Sequence, residues 1–225
     1  MLKEYCEKIE RSRVVCFDFD GTIACSNKIK IVAFKNAAFD ILENNEAQKF
    51  VDIVKLNFGK MNRYEMCELF INGSKDIEHS FTETLCNLYE KNLKEEYQFA
   101  KFIPGFCNFL SKIKDKKKII VTSGNRDEIY HFLKRNSLTD SFEDILDNKK
   151  KKIQHYSDIF DEIGNLKTCI FGDSLEDYTS SSILNRDFFF IGYESNILNN
   201  IHRKEIENLN SDRAIVIEDY REISI

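Results

Sequence analysis

Five short apolar runs constrain this chain more than any other feature. They fall at 13–17, 118–122, 168–171, 188–191 and 214–217, and each is four or five residues long with little polar alternation. Strands buried on both faces of a parallel sheet have this pattern, because helices cover the sheet above and below. Helical stretches at 106–113 and 126–135 separate the later runs, so the sequence predicts an α/β chain in which strand alternates with helix. A sheet of that kind places its ligand at the carboxyl ends of its strands, beside the point where strand order reverses.

Residues 26–100 break the rhythm. Apolar positions there recur at three and four residues, as in Ile31, Phe34, Ala38, Ile41 and Leu42, and again in Phe50, Ile53 and Val54. Helix follows helix, with Ser26 placed to cap the first. Pro104 (the chain's single proline) and Gly105 form a turn in KFIPGF that can return the chain to the sheet. The organisation expected is one α/β domain made of 1–25 and 101–225, with an all-helical domain of 26–100 inserted after the first strand. The 225 residues suit one core with a sizeable insertion.

Composition excludes several classes. A formal net charge of −5 lacks the basic footprint of a nucleic-acid binder. No apolar stretch is long enough to span a bilayer, so no membrane partner is expected. The charged start MLKEYCEKIERSR has no apolar signal region, and a cytoplasmic location is the expectation. The seven cysteines form no C-x-x-C pair, which suits reduced thiols rather than a disulfide framework. His79, His131, His155 and His202 are too dispersed for a helical metal pair. Oligomeric state is not encoded legibly; a monomer or weak dimer is expected.

The first apolar run ends in DFDGT. In extended chain, Asp18 and Asp20 point to one side and Phe19 to the other. Two close carboxylates repel unless a cation compensates. Asp20-Gly21 alone is an ordinary turn signal, but that does not explain Asp18. A glycosidase dyad would need its carboxylates on separate elements flanking a sugar, so a nucleophile with a neighbouring acid beside Mg²⁺ fits better. That chemistry demands a further acid at a strand end, and GDSLED supplies Asp173 and Asp177, the latter in the first turn of a helix starting near Ser174. It demands donors for phosphoryl oxygens, and VTSGN offers Ser123, then Gly124 and Asn125 at a helix start. It also demands a cation, for which the lysine run 149–152 precedes the helix-like IQHYSDIF.

Together DFDGT, VTSGN, NKKKK and GDSLED resemble the four motifs of the haloacid dehalogenase-like (HAD) phosphatase superfamily, with a Rossmann-like core. The insertion resembles the helical C1 cap of its phosphoglycolate phosphatase and β-phosphoglucomutase branch. The resemblance implies a Mg²⁺-dependent phosphatase acting on a small phosphorylated metabolite. Asp18 would attack phosphorus and become a phosphoaspartate; Asp20 would protonate the leaving alcohol and then activate water. Asp18, the backbone carbonyl of Asp20, and Asp173 would hold Mg²⁺, with Asp177 assisting through water or by pairing with the lysine. Ser123 would bind the phosphoryl group, Thr122 being the alternative. Lys152 aligns with the family lysine, though Lys149 to Lys151 also fit. Gly21, Thr22, Gly124 and Asn125 would contact substrate.

Two features depart from the family pattern or bear on specificity. Cys25 stands where many members carry an aspartate. In the cap, FGKMNRYEMCELF resembles a glycine-to-arginine segment of some capped relatives, which would direct Arg63 toward substrate. A sugar phosphomutase using the same site, or a non-catalytic binding protein on this scaffold, are the alternatives.

Overall fold

The computed structural model describes residues 2–74, 80–164, 166–198, 200–209 and 211–225, so His79 lies outside the described residues. By its contacts the chain divides into two compact units, Met1–Cys25 with Lys101–Ile225, and Ser26–Ala100.

The first unit is a parallel sheet with helices. Its strands are β1 (Val14–Phe17), β2 (Lys117–Val121), β3 (Asp144–Leu146), β4 (Thr168–Gly172), β5 (Asp187–Ile191) and β6 (Ala214–Ile217). Among the described residues they lie in the order β3-β2-β1-β4-β5-β6, and every neighbouring pair is parallel. That order reverses direction between β1 and β4, which puts the crevice of a doubly wound sheet at the carboxyl ends of those two strands. Five of the strands fall within a residue of the apolar runs. The exception is β3, a three-residue edge strand with only its middle residue buried, too short and polar to register as a run. The helix α1 (Leu2–Arg11) precedes the sheet.

Both sheet faces are covered, as the continuous apolar runs require. Cys16, Ile119, Val121, Ile170, Phe188 and Phe190 pack on one side with Tyr156, Ile159 and Phe160. Alternate residues face an aromatic layer: the Phe17 ring lies 5.2 Å from that of Phe171, which lies 4.7 Å from Phe189. Phe106, Phe109 and Tyr220 complete that layer. Burying one such ring contributes about 1.5–3 kcal/mol. The remaining helices of this unit are α6 (Phe106–Lys112), α7 (Arg126–Arg135), α8 (Lys152–Ile163), α9 (Leu175–Ile183) and α10 (Ile201–Asn208). Gly105 has φ +80°, and a Cβ there would lie 2.7 Å from the Arg221 nitrogen, so the Pro104-Gly105 turn accepts only glycine without strain.

The second unit is helical: α2 (Asn27–Ile41), α3 (Asn44–Asn57), α4 (Arg63–Gly73) and α5 (Ser80–Tyr97). Ser26 is the N-cap residue of α2, but its side chain makes no capping hydrogen bond. The buried stripe of α2 is Ala33, Phe34, Ala37 and Ala38; Ile31, Ile41 and Leu42 are only partly buried. Small alanines let neighbouring helices approach, and Phe34 stacks on Tyr89 of α5 with ring centroids 3.8 Å apart. A capping box opens α4: Asn62 Oδ1 accepts from the Tyr64 and Glu65 amides, and Glu65 accepts from the Asn62 amide at 2.8 Å.

Candidate active site

Asp18 follows the last residue of β1, and its amide continues the ladder to β4 by donating to the Phe171 carbonyl at 2.8 Å. This fixes the carboxylate at the strand-order reversal, where it is 4% exposed. Asp173 follows β4 directly, on the neighbouring strand. Ser174 then caps α9 and places Asp177 in the first turn, fully buried. One carboxylate oxygen from each of Asp18, Asp173 and Asp177 lies within 4.8 Å of the others.

Lys152 supplies the compensating cation. It is the first residue of α8, and its Nζ lies 2.7 Å from Asp18 Oδ1 and 2.8 Å from Asp177 Oδ1. The other three lysines of the run point elsewhere. Lys149 pairs with Asp147 and Lys150 with Asp158, both with exposed side chains, while Lys151 is the N-cap residue of α8. The second Asp177 oxygen accepts from Ser174 Oγ at 2.6 Å. Both oxygens of Asp177 are therefore engaged, whereas Asp18 keeps its Oδ2 clear of the lysine contact. Gly172 allows this packing, since a Cβ there would sit 2.5 Å from the Asp177 Cβ and Cγ.

Burial, with Lys152 opposing it and Asp177 and Asp20 adding to it, brings the Asp18 carboxyl up to about 7. Burial alone would lower the Lys152 ammonium, but Asp177 and Asp18 hold it well above its usual range. Three carboxylates against one ammonium leave surplus negative charge in a buried place. The donors are all carboxylate oxygens, the set that suits Mg²⁺ rather than a soft metal. The residues present therefore fit such an ion.

Asp20 lies in the loop after β1, bridged to Ala24, with Gly21 at φ +72°. Thr22 is fully buried, and its hydroxyl has no hydrogen-bond partner among the described residues. Thr122 is buried past the end of β2, where its Oγ1 accepts from the Gly124 amide at 3.0 Å. A Cβ at position 124 would meet Thr122 Oγ1 at 3.3 Å and Asp20 Oδ2 at 3.6 Å, so both polar groups converge on Gly124.

Three expectations meet a different geometry. Ser123, preferred on sequence to Thr122, is exposed and donates to Glu176 Oε2 at 3.4 Å. The chain leaves the sheet after the Thr122 amide bonds the Leu146 carbonyl, so the hydroxyl held at the strand end belongs to Thr122. Asn125 uses its side chain to cap α7, accepting from the Asp127 amide at 2.8 Å. Arg63 is half-enclosed within the helical unit, where it pairs with Glu90 and lies 5.1 Å over the Tyr89 ring. Its charge is already answered there.

Sequence reasoning missed three groups around the acids. His202 Nδ1 accepts the Leu175 amide at 3.2 Å, at the start of α9. Tyr156 is buried one turn from Lys152, and burial followed by the charge of Asp177 raises its hydroxyl well above its usual range. Tyr220 is raised likewise by burial, then by Asp18 and Asp173. The i, i+4 spacing of Lys152 and Tyr156 was a usable signal; the other two arrive from distant sequence.

The pattern of the family described as haloacid dehalogenase-like hydrolase matches residues 15–191, and the chain belongs to that family. Similar solved structures include a HAD hydrolase, family IA, variant 3, from Entamoeba histolytica, 20% identical, TM-score 0.71, covering 95% of this chain and 96% of that one. A protein described as a predicted phosphoglycolate phosphatase from Haemophilus somnus is 13% identical, TM-score 0.70, covering 95% and 96%. The HAD-hydrolase YfnB from Bacillus subtilis, solved bound to magnesium, is 21% identical, TM-score 0.62, covering 89% and 100%. No curated protein matches the chain significantly. No helix among the described residues is long and apolar enough to cross a membrane.

Proposed function

We propose that this chain is a Mg²⁺-dependent phosphatase that hydrolyses a phosphomonoester of a small metabolite through a phosphoaspartate on Asp18. The observation that carries the proposal is the buried Asp18 carboxylate, paired with Lys152 at 2.7 Å and clustered with Asp173 at the strand-order reversal. The description of the Haemophilus somnus protein supports the same reaction class.

In this reading an Asp18 oxygen attacks phosphorus and the bond to the leaving oxygen breaks. Asp20 gives that oxygen a proton, then takes one from the water that attacks phosphorus and releases Asp18 and phosphate. Lys152 favours the ionised Asp18 against burial and offsets the approach of a dianion. Asp177 positions Lys152, with Ser174 holding its other oxygen. The Thr122 hydroxyl, at the end of β2, takes the phosphoryl contact first assigned to Ser123. Mg²⁺ held by Asp18 and Asp173 would supply further positive charge against the anion–anion repulsion. The unit 26–100 is proposed to serve as the cap domain.

The test is phosphate release from p-nitrophenyl phosphate with Mg²⁺. Wild-type protein is expected to turn over and Asp18→Asn to lose about a thousandfold or more in kcat. Activity retained in that variant overturns the reading. Release of free phosphate from a sugar phosphate, with no isomer formed, separates hydrolysis from mutase chemistry.

A further inference from the structure

Two cysteines of the helical unit meet across a helix pair. Cys67 of α4 and Cys86 of α5 are 0% and 3% exposed, with their Sγ atoms 4.0 Å apart in a shared hydrogen bond. The contacts on either side fix the register: Arg63 pairs with Glu90 one turn along, and Phe70 meets Phe81 (ring centroids 5.7 Å apart) one turn back. Partner numbers fall on one helix as they rise on the other, so α4 and α5 run antiparallel with the two sulfurs in line. All seven cysteines are free thiols.

We propose that Cys67 and Cys86 form a reversible disulfide under hydrogen peroxide, making the helical unit a redox-modifiable element. Forming the bond asks the sulfurs to close by about 2 Å, from 4.0 Å to the length of an S–S bond.

Cys86 is the less deeply buried of the two, 3% exposed against 0% for Cys67, and is the sulfur that a peroxide meets first. The hydrogen bond that it shares with Cys67 holds its thiol below the usual range, and the Arg63 guanidinium adds to this against the effect of burial. The shared hydrogen bond, and then burial, raises Cys67 against the pull of Arg63. By contrast, burial pushes the sheet thiols Cys16 and Cys169 up to about 12, where the thiolate is scarce. The Cys86 thiolate attacks the peroxide oxygen, the O–O bond breaks, and the departing oxygen leaves protonated as water. Cys67 sulfur then attacks Cys86 sulfur, the S–O bond breaks, and the hydroxide leaves as water with the Cys67 proton. The two thiols are oxidised by two electrons and the peroxide is reduced to water. The product ties α4 to α5 and locks the level at which Arg63 meets Glu90.

The full-length protein is treated with hydrogen peroxide, quenched, alkylated under denaturing conditions and mapped by mass spectrometry. The expected product is a Cys67–Cys86 peptide pair lighter by two hydrogens, reversed by dithiothreitol, with the oxidised protein melting several degrees higher than the reduced. Dimedone should label Cys86 in Cys67→Ser; if that variant does not fold, the wild-type map decides alone. Recovery of Cys67 and Cys86 as separately alkylated peptides, or cross-links to other cysteines in equal yield, would overturn the proposal.

Discussion

Lys152 and Asp18 are 134 residues apart in sequence, yet their side chains form a 2.7 Å ion pair from which water is almost excluded. A buried pair of this kind adds little net stability, because desolvating both charges offsets their attraction. Its value lies in opposing the rise that burial and the neighbouring acids give the Asp18 carboxyl.

Breaking the pair from the lysine side should therefore be costly. Lys152→Met leaves Asp18 and Asp177 buried without their cation, and a loss of about 3–5 kcal/mol is expected. Urea unfolding in the presence of a chelator measures it. Adding Asp18→Asn to that variant should restore part of the loss, since one of the stranded charges is gone. Unchanged stability in Lys152→Met would mean that the acids do not depend on this lysine.

The raised carboxyl of Asp18 gives a pH signature in metal-free protein. The folded pKa of about 7 lies above the unfolded 3.8, so the fold binds the extra proton between those values. The stability it contributes is full below 3.8 and is lost as pH rises through about 7. Asp18→Asn should be flatter across that window and more stable than wild type at its upper end, by ~1–2 kcal/mol. Mg²⁺ should restore wild-type stability there, by about 2.7 kcal/mol at a hundredfold excess over its Kd. Asp173→Asn should lose most of that gain. Thermal melts with chelator and with Mg²⁺ report both effects.

Asp20 predicts a dependence on the leaving group. An alkyl phosphate needs its departing oxygen protonated, so Asp20→Asn should slow its hydrolysis by about 10²–10⁴-fold. Nitrophenolate leaves without that help but still needs a base for the water step. Stopped-flow measurements should then show a stoichiometric burst of nitrophenolate followed by slow turnover. Equal losses on both substrates with no burst would remove the acid–base role.

Much of this arrangement was legible because its signals are local. The runs ending at Phe17 and Phe171 read as strands, since a strand covered on both faces has nowhere to place polar residues. Asp18, Asp173 and Asp177 were readable from their offsets to those strand ends. β3 was not, because a three-residue edge strand shows no apolar run. Ser123 is preferred on sequence because it stands just past the run, but β2 ends at Val121 and the Thr122 amide still bonds the Leu146 carbonyl, so Thr122 holds the strand end. The resemblance singles out Lys152, and because α8 begins at that residue, it alone of the run shares the helix with the buried Tyr156, Ile159 and Phe160. The resemblance of FGKMNRYEMCELF directs Arg63 toward substrate, while its partners Glu90 and Tyr89 come from another helix and leave no local signal.

The central claim is that Asp18 bonds covalently to phosphorus, and chemical trapping tests it most directly. Enzyme turning over a phosphomonoester with Mg²⁺ is acid-quenched and treated with borohydride, which reduces an acyl phosphate to the alcohol and leaves free carboxylates intact. The expected result is a peptide in which Asp18 alone has become homoserine, absent when substrate is omitted. An unmodified Asp18 in protein quenched during turnover, or reduction at a different residue, would contradict the account.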